Sequence, residues 1–178
     1  WIIISLRHAL DDIAHTRDAT SAAIMLNMGL ELAFTNLQFV ALSADAVKCG
    51  DHSFATMLQS IQTDEARHAQ IGEPIVRIMV ENGKKKEAQQ LVEISFWRMW
   101  KQFSALSGIG MDYYTPLEHR ENSLKDFMEE WVIGQFGRTV EALGLDLPWY
   151  WDILKKDICS FHHANQIGVY AYRATEWW

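Results

Sequence analysis

The chain has 178 residues, 49% of them apolar and 22% charged, which is enough apolar side chain for one core and too much for a disordered polymer. A net charge of −7 disfavours a phosphate backbone, so nucleic acid is excluded as a partner. Cys49 and Cys159 are too far apart in sequence to form a disulfide framework and fit a reduced, cytoplasmic setting; ten glycines and three prolines are too few for a loop-rich all-β domain.

The chain opens Trp1-Ile2-Ile3-Ile4, with no initiator Met and no signal peptide, and closes Glu176-Trp177-Trp178. Residues 1–178 therefore read as a single partial domain, an internal piece of a longer polypeptide. Ser5 to Asp18 is a short amphipathic run. Ala19 to Cys49 is the longest apolar stretch, closed by the C-cap signal Gly50. Asp51 caps a helix that runs towards Asn82-Gly83, with Pro74 expected to kink or interrupt it. Lys84 to Leu106 is a fourth helix, carrying Phe96, Trp97, Trp100 and Phe103 on its later turns. The Gly108–Gly110 and Tyr113–Pro116 region is a connection. Ser123 caps a helix to about Leu143, ended by Gly144, and Pro148 starts a last helix to about Tyr172. Strand-like alternation is absent, so the prediction is all-α, roughly three quarters helix.

From Ala19 to Ala44 the single charge is Glu31, and that length can span a bilayer. Yet Asn27, Glu31, Thr35, Asn36 and Gln38 crowd its centre, where each is costly in lipid. A helix buried by other helices is the better reading, with no membrane contact. With Glu31 set to zero and a turn of about 100° per residue, Asn27 falls near −40°, Thr35 near +40° and Gln38 near −20°. The polar groups share one narrow stripe, and an ionised carboxylate on it needs a partner, a metal or a hydrogen-bond network.

The next helix supplies the partner in Gln62-Thr63-Asp64-Glu65-Ala66-Arg67-His68. Glu65 and His68 form Glu-x-x-His, so both leave one face about a turn apart, the spacing found in ferritin-like di-iron bundles. Asp64 and Arg67 are candidates to orient the ligands from outside. Such a site takes four carboxylates and two histidines; Glu31, Glu65 and His68 are one half. No second Glu-x-x-His occurs. Asp12-Ile13-Ala14-His15 comes nearest, but its aspartate is shorter and no lone-Glu helix precedes it, so His15 reads as structural or exposed. The other half is expected upstream of Trp1. Leu26, Leu30 and Phe39 lie near the stripe, where they line an apolar pocket or serve as plain core.

At this point the chain resembles the catalytic alpha subunits of bacterial multicomponent monooxygenases, most closely the toluene monooxygenase group. The resembling segments are Glu31–Phe39, Ser60–Gln70, Met111–Pro116 and Pro148–Asp152. The resemblance implies a ferritin-like di-iron bundle, of which this chain is the second half of the ligand set plus the following helices. It implies two iron ions, the second held by Glu31, Glu65 and His68, with Thr35 as the active-site threonine and Asn36 and Gln62 nearby. It implies hydroxylation of toluene, benzene or phenol with O2 and electrons from NADH. The implied partners are beta and gamma subunits, an effector protein, a Rieske ferredoxin and an NADH reductase. No nicotinamide, flavin or iron–sulfur motif occurs here, so electrons must arrive from elsewhere. An alkene monooxygenase alpha subunit, of isoprene or propene type, is the close alternative, because pocket shape alone separates the two. A ferritin-like iron oxidase and a non-enzymatic helical scaffold with a buried ion network are more distant ones.

Overall fold

The computed structural model of the chain describes residues 2–106, 129, 133–158 and 160, with the side chains of residues 2, 33, 34, 36, 37, 105 and 106 left aside. Helix α1 spans Ile2–His15 and α2 Ala19–Ile24. The α2 helix continues into a π-helical segment, Met25–Thr35, and then into α3, Asn36–Lys48. Next come α4, His52–Glu81, and α5, Lys85–Lys101, the latter prolonged by a π-helical turn, Gln102–Leu106. Helix α6 is Gly134–Ala142, and residues 151–158 are helical. There is no strand among the described residues, and none of their helices is long and apolar enough to cross a membrane. The Tyr113–Pro116 connection, Ser123 and the end of the last helix lie outside the described residues.

Three expectations are corrected. The first helix stops at His15, because Asp18 is spent on starting the second. Its carboxylate accepts from the backbone N–H groups of Thr20 at 3.2 Å and Ser21 at 2.9 Å, and from the Ser21 hydroxyl. Those bonds from Ser21, the hydroxyl foremost, hold the Asp18 carboxyl below its ordinary range. The long apolar stretch is helical throughout, but its centre is π-helical, with hydrogen bonds reaching five residues back instead of four. Pro74 does not interrupt α4, which is continuous from His52 to Glu81. Pro74 is exposed, as is Gln70, whose carbonyl it leaves without a helical donor, so water can serve that carbonyl while buried Gly72 and Val76 hold the helix in place.

The turns follow the sequence. Gly50 adopts φ +80°, a left-handed conformation that closes α3, and Asp51 caps α4 by accepting from Phe54 N at 2.9 Å. This short turn folds α4 back along α3 and the π segment, and α5 packs on the π segment from another side. Helices α4 and α5 therefore cover two sides of the central stretch, which is buried from Ile24 to Gly29 apart from Leu26 and half-buried at the described side chains from Leu30 to Leu42. Ile24, Met28, Val76, Val92 and Phe96 are fully buried there.

A second, aromatic zone of the core joins α5 to α6 and the 151–158 helix. Phe96 packs against Phe103, Phe136 and Trp151. Tyr150 lies between Trp97 and Trp100, and its hydroxyl donates to the Glu93 carbonyl. Burial pushes this phenol far above its usual range. Trp100 donates to the Asp157 carboxylate at 2.6 Å, which also pairs with Lys101 at 3.3 Å. The tryptophans divide: Trp151 is buried, whereas Trp97 and Trp149 are 48% and 74% exposed.

The two kinds of core contact predict different losses. Phe96→Ala empties a fully buried site shared by three rings and should cost about 3–5 kcal/mol. Tyr150→Phe keeps the ring and loses one hydrogen bond, for about 1 kcal/mol. Denaturant unfolding of the two variants should rank them in that order, and equal losses would contradict this picture of the core.

Candidate metal centre

The centre is built from two elements whose sequences suit opposite tasks. The π segment, Met-Leu-Asn-Met-Gly-Leu-Glu-Leu-Ala-Phe-Thr, is apolar except for Asn27, Glu31 and Thr35. Helix α4 is amphipathic and presents Glu65 and His68 one turn apart. In an α-helix Thr35 would lie about 40° past a full turn from Glu31. The wider π turn advances less per residue, so Thr35 falls short of the full turn and stays on the same face.

The two elements meet at these side chains. One ligating atom each from Glu31, Glu65 and His68 lie within 4.8 Å of one another. Two ligands on opposite sides of a first-row metal stand roughly 4.2 Å apart, twice a bond of about 2.1 Å, so one ion fits the group with small side-chain movements. His68 Nδ1 is 3.4 Å from Glu31 Oε1. Thr35 Oγ1 donates to Glu65 Oε2 at 2.8 Å, while its own helix carbonyl, Glu31 O, is 3.5 Å away. Its single proton is therefore directed across the interface and not back along the helix.

Glu31 carries the electrostatic strain. Its side chain is 13% exposed, and Oε2 is buried with no hydrogen-bond partner among the described residues. Burial raises its pKa, the Glu65 charge adds to the rise, and His68 opposes it. A buried carboxylate oxygen left without a donor is costly, and a cation would satisfy it. The donors are hard oxygens and an imidazole, a set that suits iron and manganese. The residues present thus fit a metal ion.

The other predicted residues are placed as follows. Asp64 and Arg67 are exposed and pair with each other at 2.9 Å. Gln62 is half-buried; the Asn36 side chain lies outside the description. Asn27, which shares the stripe, is buried and donates to Ala23 O at 2.9 Å. Leu30 packs on the main core, and Leu26 and Phe39 are half-buried. His15 is exposed, with Nδ1 at 2.8 Å from Asp11 O, outside the centre.

One feature of α4 escaped the sequence reading. Phe54, Met57, Ile61 and Ile71 are all exposed, and all lie within about 60° of His68 at 100° per residue. His68 is itself 53% exposed. The ligand pair therefore sits in an apolar stripe open on one side, the kind of face that another element covers. The recurrence of large apolar residues at three- and four-residue steps through Glu65 and His68 was the available signal.

Residues 1–83 match the sequence profile of a family described as methane/phenol/alkene hydroxylase. Over the whole chain, identity is 44% to the oxygenase component alpha subunit of the alkene monooxygenase system of Xanthobacter autotrophicus, covering 36% of that protein. It is 27% to the oxygenase component of phenol 2-monooxygenase from a Pseudomonas species, over 97% of this chain and 34% of that one. It is 28% to the methane monooxygenase component A alpha chain of Methylococcus capsulatus, over 86% of this chain and 30% of that one. The chain thus spans about a third of the length of these relatives.

The strain at Glu31 has a measurable sign. In the metal-free protein its pKa is raised, so its contribution favours the fold below the ordinary glutamate range and is lost as pH rises through the raised value. Glu31→Gln has no charge to desolvate. Metal-free Glu31→Gln should match wild type in acid and be more stable by about 1 kcal/mol near neutrality. Thermal unfolding across pH checks this, and a variant less stable than wild type at neutral pH would refute it.

Proposed function

We propose that this chain is part of the catalytic oxygenase subunit of a multicomponent di-iron monooxygenase, a cytoplasmic enzyme that epoxidises a small alkene with O2. The observation that carries the reading is the convergence of Glu31, Glu65 and His68 across two helices. The hydroxylase match over residues 1–83 supports the same chemistry. Higher identity to the alkene monooxygenase than to the phenol and methane enzymes favours an alkene over the aromatic hydrocarbon expected from sequence. Hydroxylation of toluene or phenol is the second reading, supported by the phenol 2-monooxygenase relative.

Glu31, Glu65 and His68 would hold one of two iron ions, and a second lone Glu and Glu-x-x-His from the rest of the subunit would complete the set. When bound, the irons supply the electrons and Lewis acidity that split O2, one atom going to the hydrocarbon and one to water. Glu31 Oε2, without a donor among the described residues, is a free lone-pair site for an ion. Thr35 holds a proton at Oγ1 beside Glu65 and can pass it towards the oxygen side of the centre. Leu26, Leu30 and Phe39 keep that side apolar. The exposed stripe of α4 receives the helices that carry the other ligands. Electrons come from NADH through a reductase and a Rieske ferredoxin, with beta and gamma subunits and an effector protein completing the system. A scaffold whose ion network served stability alone would be expected to satisfy the buried Glu31 oxygen.

Two experiments test the reading. The full-length protein, reconstituted with its partner components, should contain iron and convert propene to its epoxide with NADH and O2. Glu65→Ala or His68→Ala should lower iron content and abolish turnover while the helical circular dichroism is unchanged. Full iron and activity in either variant would reduce the pair to a surface feature, and turnover of toluene without propene would move the substrate to the second reading.

Thr35→Val separates proton handling from ligation, because it keeps volume and branching and removes only the hydroxyl. Iron content and folding should be normal, with more peroxide released per product. Turnover should persist, since bound water can relay the proton. Coupling and oxygenation kinetics indistinguishable from wild type would return Thr35 to helix packing.

A further inference from the structure

A π-helical segment is wider than the α-helices around it, and Met25–Thr35 packs between α4 and α5. The room for it is made at two glycines. On α4, Gly72 lies one turn beyond His68, and a Cβ built there would stand 2.7 Å from Met28 Cγ, 2.9 Å from Met28 Sδ and 3.2 Å from Asn27 Cβ. On the α5 side, a Cβ at Gly29 would stand 3.1 Å from Ser95 Cβ and 3.3 Å from the Ser95 carbonyl oxygen. The first two distances are shorter than carbon and sulfur atoms tolerate.

Each of the three neighbours is held. Met28 is fully buried, so its side chain moves only by displacing other core groups. Asn27 is tied to Ala23 O at 2.9 Å. Ser95 is 1% exposed, and its hydroxyl is turned back onto Leu91 O at 2.7 Å. A methyl at Gly72 therefore pushes the π segment away from α4, and one at Gly29 pushes it away from α5. Asn27, which the same methyl would meet at 3.2 Å, precedes Glu31 by four residues, close to one π turn, so the displacement reaches the face that carries Glu31. We infer that Gly72 and Gly29 are positioning residues of the metal centre: their close contacts set where the π segment lies between α4 and α5, and thereby the reach of Glu31 and Thr35 to His68 and Glu65. The inference rests on the reading of these side chains as metal ligands, but its geometric part stands without a metal.

The test uses the full-length protein and two independent readouts. Metal-free crystal structures of wild type, Gly72→Ala and Gly137→Ala report the Glu31 Oε1 to His68 Nδ1 separation, 3.4 Å here. Cobalt(II) titration reports affinity and the visible spectrum of the bound ion. Gly137 is the control, since among the described residues a Cβ there meets only Leu147, at 3.9 Å. Gly72→Ala should lengthen the separation, weaken cobalt about 10- to 100-fold and alter its spectrum, while Gly137→Ala changes none of these. The double variant Gly72→Ala/Met28→Ala gives the methyl its space and should restore the wild-type separation; if the single variant does not fold, the double one decides. A Gly72→Ala protein with wild-type separation overturns the inference, as does a double variant that restores neither fold nor separation. If wild type takes up no cobalt but Gly72→Ala still widens the gap, the positioning role stands and the metal reading fails.

Discussion

A carboxylate on the inside of an apolar bundle has to be accommodated, and the packing around Glu31 follows from that requirement. The long central stretch must be enclosed, since its other side chains are apolar. Enclosure takes water away from Glu31 and raises its pKa. His68 approaches one oxygen at 3.4 Å, and the other has no donor among the described residues. A fold optimised only for stability would not leave that oxygen bare. That demand is the one that the proposed ion would meet.

The π-helical segment and the glycine contacts follow from the same requirement. An α-helix would carry Glu31 and Thr35 round the axis in steps of about 100°. The π geometry turns them less, so that Thr35 faces Glu65 at 2.8 Å while Glu31 faces His68. A wider helix needs thin contacts, and Gly72 on α4, Ser95 on α5 and Gly29 on the segment itself provide them. The aromatic zone around Phe96 and Tyr150 is continuous with this interface through the core and supplies packing.

Much of the fold was legible because it rests on local chemistry. Gly50 and Asp51 end one helix and start another through a left-handed φ and a side-chain cap, both properties of single residues. The pairing of Glu31 with Glu65 and His68 was legible because the three share a narrow stripe and a one-turn spacing. Asp18 was misassigned because its carboxylate could end one helix or begin the next. That α4 runs on through Pro74 depends on the exposure of that residue, which lets water satisfy the freed carbonyl and is a tertiary fact. The apolar stripe through Phe54, Met57 and Ile61 was overlooked because exposure cannot be read from a list of residue types.

The sequence by itself determined the helical class, the turns and which side chains converge at the candidate centre, because propensity, capping and three- and four-residue spacing act over a few neighbouring residues. Only the tertiary structure decided the π geometry of Met25–Thr35, the direction of the Thr35 proton, the burial of the Glu31 carboxylate and the close approach at Gly72. Each of these depends on how near two helices lie, and that distance is set by packing between segments that the chain brings together from 30 or more residues apart.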